Sequence, residues 1–551
     1  AVARIGTIQN TNVTATTQYA LWNGGQIDSI CGTSKFTSSG TEKYIVYNSN
    51  EIGSVNNGYY ASRTDDGASR VYTYSDLYPT IKLITDSVEI SSTTCNYGLY
   101  NAGKVETING NVKISAKQWA VQVSSGGVID TITGNVNVSA TTGERGISIE
   151  GARSKKIEYT YDKALTANDK QLTKQITTYG EPSRIGTITG NVTISAKTNY
   201  GIINYGTIDM ISGNVQIKAA GLGISNQSGG ANSTYTITYG SDTERTYDYV
   251  RNIAGAGHIG TIGPEGSDVR ITVTGSTAVR NYGSIDLIGS GTTLEASEST
   301  LYNADYRETR RVYSDKAEDN KKGSYDTKRE YLYVYGAIPE IGKINGATIT
   351  ASNDSAVLNS GVITTIQGVK AEAKRYTIYN HNNGAKTGDQ KRARYYRSTT
   401  ALKEWPKDTE WLVAEVDTSG IQYVVAQIGT IANCEITSRG GIAVRNGGKI
   451  GTISGNTIQA TGSSAIYNVD ASRSAYTKIA AIEGTIGGTW IPTFKDAVTA
   501  YGAPPEIGTI GANTITSTSG NAIDNRGIIT TLGADGLSVT ANAGHAVYSA
   551  D

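Results

Sequence analysis

EIGTIGANTITSTSGNAIDNRG, at 506–527, decides the fold because it is not alone. KIGTISGNTIQATGSSAIYNVD at 449–470 and QIGTIANCEITSRGGIAVRNGG at 427–448 repeat its pattern. Aligning outward from these copies yields about fifteen units of about 22 residues, beginning near residues 4, 26, 80, 104, 128, 184, 207, 258, 284, 340, 362, 427, 449, 506 and 528. A period of this length marks a chain whose units bury their apolar faces on one another, so that length is not limited as it is in a sphere.

Within a unit the apolar residues follow no helical period. Val192-Thr193-Ile194-Ser195-Ala196 alternates apolar and polar, as a strand with one buried face does. Ile185 and Ile188 stand three apart, which breaks the alternation and predicts a bend at Gly186. Near the end of a unit stands an asparagine: Asn23, Asn48, Asn101, Asn204, Asn226, Asn281, Asn303, Asn359, Asn380, Asn446, Asn468 and Asn525, with Val123, Ile149 and Ser549 in the other three units. Asparagine tolerates left-handed backbone and bonds nearby main chain, so stacked units would align these side chains into a ladder at one turn. Asn111, Asn135, Asn191, Asn214 and Asn456 suggest a partial second ladder. The expected fold is all-β, one continuous parallel β-solenoid over 1–551. At one strand spacing per coil it is a rod on the order of 70 Å long.

GTITGNVTISA at 186–196 followed by GIINYG at 201–206 resembles the coils of parallel β-helix proteins, especially passenger domains of bacterial autotransporters and related surface adhesins. The resemblance implies a right-handed coil, export and display on a bacterial surface. It covers the repeat units and carries no catalytic residue. The chain departs from that family in having no translocator barrel after the repeats and in the regularity of its inserts. The start Ala1-Val2-Ala3 leads straight into the repeat, as expected after removal of a leader or within a longer protein.

Inserts interrupt the units at 49–79, 153–183, 232–257, 306–339, 385–426 and 471–505, each leaving just beyond the asparagine turn. They must therefore project from one edge of the rod. They hold 23 of the 36 tyrosines, a concentration that suits surfaces which meet a partner while staying partly wet. Alternating Tyr and Thr around glycine-containing turns predicts hairpins that stack into a second sheet, with WLVAEVDTSGIQYVV at 411–425 the clearest hairpin. Tyr331, Tyr333, Tyr395, Tyr396, Trp405 and Trp411 are the candidate partner contacts, for protein or for glycan.

The formal net charge is zero, which speaks against a nucleic-acid binder. No apolar run is long enough to insert in a membrane. Cys31, Cys95 and Cys434 have no metal-ligand spacing, His258, His381 and His545 form no cluster by position, and no cofactor motif is present. The sharpest catalytic possibility is Glu106 beside Asp130 in a column that also holds Asp28, Asp209 and Asp286, at the roughly 5 Å separation used by retaining glycosidases. Lys82 in the same column argues instead for a charge ladder. No enzyme, cofactor or metal is therefore expected. The first and last units read as coil without a polar cap, so either the chain belongs to a longer rod or copies of it stack end to end into a filament. The alternative is a β-helical polysaccharide-processing enzyme or carbohydrate-binding spike.

Overall fold

The structure, a computed structural model, describes residues 3–40, 44–49, 60–65, 69–74, 78–161, 172–227, 234–239, 245–250, 257–304, 307–308, 314–317, 327–335, 338–381, 386–396, 411–417, 421–469, 475–485, 492–501, 504–533 and 535–550. The repeat units form three parallel sheets of fifteen strands each, every sheet running through the units in chain order. One coil thus contributes one strand to each sheet. The first strands begin at the fifteen positions at which the sequence units begin, from Arg4–Gln9 to Ile528–Leu532.

Identical columns follow from this register. Ile185 sits between Ile129 and Ile208, and Ile188 between Ile132 and Ile211, all fully buried. The bend between the two isoleucines is confirmed, but its cause is not left-handed backbone at Gly186. A Cβ there would lie 2.4 Å from the carbonyl oxygen of Asp130, so the two backbones approach closely at this point. Left-handed backbone falls one turn later, at the corner between the first and second sheets, where Gly190 has φ +81° and Asn10, Asp86 and Asn433 hold the equivalent conformation in other coils.

At the third corner the asparagine ladder is present. Asn204 donates to Asn226, and the chain of side-chain bonds continues through Asn281, Asn303, Asn359, Asn380, Asn446 and Asn468 to Asn525, each 2.8–2.9 Å long. Asn23, Asn48 and Asn101 form a shorter ladder, separated from the long one by buried Val123 and Ile149. The same amides also hold the chain where it returns from an insert. Asn48 bonds the carbonyl of Pro79, Asn226 that of Gly257, Asn303 that of Pro339, Asn380 that of Ala426 and Asn468 that of Pro505. The coil is thus closed by side chains at the point where its backbone is interrupted, which is why long inserts are tolerated there. Their own closure entropy grows only slowly with length.

The second ladder needs a correction. Asn111, Asn135, Asn191 and Asn214 do bond one another at 2.9–3.0 Å along an exposed column. Asn456 is not among them. Its coil has one residue fewer at the first corner, so Asn456 faces inward, where it bonds Asn513 and the amide of Cys434.

The inserts form antiparallel hairpins, and their strands join two further sheets in chain order. The first contains Tyr60–Asp65, Ser69–Tyr74, Ala152–Tyr161, Leu172–Pro182, Thr234–Tyr239 and Arg245–Val250. The second runs from Arg307–Glu308 through Thr327–Tyr335, Lys386–Tyr396, Trp411–Asp417 and Ala475–Thr485 to Pro492–Tyr501. There are two sheets where the sequence suggested one. The hairpin expected within 411–425 is also different. Trp411–Asp417 and Ile421–Tyr423 both pair with Lys386–Tyr396 and not with each other, because that eleven-residue strand offers an edge long enough for both.

Candidate functional site

Three outward surfaces of the rod carry chemistry. On the first sheet, charges stack in register. Asp28 accepts from Arg4 Nε at 2.8 Å and pairs with Lys82 Nζ at 2.9 Å, and these two cations hold its carboxyl down at about 2, Lys82 contributing most. Glu106 and Asp130 stand side by side as the sequence suggested. Lys104, however, lies between them, 3.0 Å from Asp130 and 3.7 Å from Glu106. Arg184 pairs with Asp209 farther along. Lys82 therefore belongs with Asp28, and the cation shared by Glu106 and Asp130 is Lys104, two residues before Glu106 in its strand and outside the column read in the sequence.

Sequence reasoning missed one cluster on this face. His258 Nδ1 is 2.9 Å from Ser284 Oγ, and its Nε2 is 3.4 Å from Asp286. The three residue types are those of a nucleophilic triad, and they meet because His258 and Ser284 are register partners with Asp286 two positions on. Two features are unfavourable for acyl transfer. The backbone N–H of Ser284 donates to Gly257, and the strand's other amides serve the ladder, so oxyanion donors are consumed by the sheet. The site is also open to water, with His258 half-buried and Asp286 exposed. Only positional register, applied to the single histidine in that column, would have found it.

The third sheet carries aromatic and guanidinium groups on its outer face. Tyr47 stacks on Tyr100 at 4.7 Å with planes 3° apart, while Tyr44, Tyr97 and Trp119 succeed one another at 4.8 and 5.2 Å, and Arg145 lies over Trp119 at 4.3 Å. Farther along, Arg445 covers both Tyr376 and Tyr379. In the column just before the ladder asparagines, Gln122, Ser148, Ile203 and Ser225 are buried although they point outward, and Ala152 and Thr177 of the second insert hairpin are buried as well. The first insert sheet therefore packs on the third sheet in these coils. Burial raises the hydroxyl pKa of Tyr44, whose O–H donates to Gln122 at 2.6 Å.

Among the candidate partner contacts, the backbone sets Tyr396 opposite Trp411 and Thr327, and places Tyr331 and Tyr333 on the adjoining strand opposite Arg392 and Gln390. Trp405, and the side chains of Tyr331, Tyr333, Tyr395, Tyr396 and Trp411, lie outside the described residues. Among the described residues no group of three His, Cys, Asp or Glu side chains has metal-binding geometry, and no helix is long and apolar enough to cross a membrane. No family model matches the sequence, no curated protein matches it, and no solved structure matches the fold.

Proposed function

We propose that this chain is a non-enzymatic structural and adhesive rod of the bacterial cell exterior, one that associates with itself end to end. The observation that carries this reading is the uniformity of the coil interface, whose apolar columns are 0–1% exposed from Ile27 to Ile523. Each coil of the interior offers its neighbour open strand edges and an apolar face of this shape. The chain makes this interface fourteen times, once between each successive pair of its fifteen coils, and coils of two copies can meet through the same contact. Inserts that leave one edge of the rod would then line a filament, where tyrosine-rich strands meet host or matrix surfaces. The enzyme alternative draws less support, since its best carboxylate pair is already bridged by Lys104.

Negative-stain electron microscopy of the chain across a concentration series tests this. Fibres about one solenoid wide are expected, and Val547→Lys is expected to abolish them. Isolated rods at all concentrations, or fibres indifferent to Val547→Lys, would overturn the end-to-end reading.

A further inference from the structure

The chain balances its charges locally as well as in total. Lys35 and Lys113 flank Glu89, Lys104 bridges Glu106 and Asp130, Lys449 meets Glu506, and Arg439 meets Glu372. Of the exposed lysines with no carboxylate partner among the described residues, Lys117, Lys197 and Lys218 gather on neighbouring coils. All three fall at one place, the corner between the second and third sheets in coils four to seven. Lys117 and Lys197 occupy one column, two coils apart, and Lys218 lies in the next coil on the adjacent column.

This corner is concave. A shallow groove of about 470 Å³ runs along the rod across four coils, with buried Ala140, Ala196 and Ala219 as its floor. Its walls are Ser139, Ser195, Thr272 and Thr274 together with Lys197 and Lys218. No carboxylate lines it among the described residues. Glu295, at the far end, is engaged by Thr272 at 3.2 Å and Arg270 at 3.9 Å. The groove is thus a strip of hydroxyls that both donate and accept, flanked by lysines with no ion-pair partner among the described residues.

We infer that this groove binds an extended acidic polysaccharide laid along the rod axis. The lysines take its anionic groups, which would recur every one or two coil rises, roughly 5–10 Å. The serine and threonine hydroxyls exchange hydrogen bonds with sugar hydroxyls. The groove has no aromatic platform on which a base could stack, so a single-stranded nucleic acid fits it less well. This deepens the adhesive half of the function proposed above and rests on it, by naming the ligand class and placing it on the coils and not on the inserts.

The test is binding of the full chain to polygalacturonate, to dextran sulfate and to uncharged dextran of equal length, with fibre formation followed in parallel. Carboxylated or sulfated polymer is expected to bind at low salt and to be released as salt rises, and the two probes show which anionic group is preferred. Exposed ion pairs are individually weak, so each of Lys197→Ala and Lys218→Ala is expected to weaken binding about two- to fivefold. Lys343→Ala, on another face, is expected to leave binding unchanged. Equal binding of uncharged dextran, an unaffected Lys197→Ala/Lys218→Ala double variant, or an equal loss with Lys343→Ala would overturn the inference. Fibres that form normally alongside such a failure would leave the end-to-end reading standing.

Discussion

Replacing Asn359 by valine tests the ladder most directly, because the chain already contains the comparison. Val123 occupies the same column fully buried, so valine fits the site sterically. What Asn359→Val removes is bonding. Asn359 accepts from Asn303 at 2.8 Å and from the amide of Gly361 at 3.2 Å, and it donates to Asn380 at 2.8 Å and to the carbonyl of Gln427 at 2.9 Å. A buried polar atom left without its partner costs about 1–3 kcal/mol, and here both ladder neighbours are affected, so the local loss should be about 2–4 kcal/mol. Single and double variants then separate a ladder from a row of independent asparagines. Asn359→Val and Asn380→Val each break two ladder bonds, but the double variant breaks three and not four, since they share one. The double variant should therefore be milder than the sum of the singles by about one net hydrogen bond, ~1 kcal/mol. Long repeat arrays do not unfold as one unit, so the assay is native-state hydrogen exchange of Ser355–Asn359 and Tyr376–Asn380. At tenfold per ~1.4 kcal/mol, protection in these strands should fall roughly 30- to 1000-fold in either single variant. Unchanged protection, or strict additivity in the double variant, would refute the cooperative ladder.

Gly186→Ala should destabilise its coil by about 1–3 kcal/mol, since the new Cβ meets the Asp130 carbonyl, while Gly6→Ala, with nothing within 4 Å, should be neutral; exchange in Arg184–Ile188 and Arg4–Gln9 reads both. The Ser91 hydroxyl, with Lys113 and Lys35, lowers the carboxyl of Glu89 from 4.5 to about 2. A depressed carboxylate stabilises above its unfolded value and loses that contribution as pH falls, so the wild type should lose stability between about pH 4.5 and 2 more steeply than Glu89→Gln, as judged by acid titration of exchange in Lys113–Ala116. Burial raises the thiols of Cys95 and Cys434, so iodoacetamide should label half-buried Cys31 in the native chain and reach the other two only after denaturation, as read by peptide mass spectrometry.

The coil boundaries were legible because the isoleucine pair and the terminal asparagine sit at opposite ends of the unit and bracket it. Asn456 shares with Asn191 both a preceding glycine and a six-residue spacing from the unit's first isoleucine, and so mimics the exposed column. Counting back from Ile458, the inward residue of its own strand, gives the buried phase, since alternation holds within a strand and fails across a corner of variable length. Lys104 was overlooked because a lysine reaches two positions along its strand as readily as it reaches across to the next. The surface groove left no mark on the sequence at all. It arises from alanines that recur at that corner throughout the rod, and becomes distinctive only where unpaired lysines flank it.

The insert hairpins and the coils beneath them share one length scale. From residue 232 onward an insert departs after every second coil, and each supplies one hairpin, two-stranded at 234–250 and 475–501 and with a third short strand at 307–335 and 386–423. Two coils rise roughly 9.6 Å, as do two neighbouring strands of a sheet, so rod and cover advance together. A gene encoding such a protein can therefore change length only in certain steps without tearing the cover from the rod. Duplicating 340–426 or 427–505 adds two coils and one hairpin, and both layers grow by the same amount. Duplicating a single coil would shift every later hairpin by one strand against its foundation. From residue 232 onward the insert sheet thus acts as a vernier on the repeat, and favours lengthening by recombination in blocks of two coils.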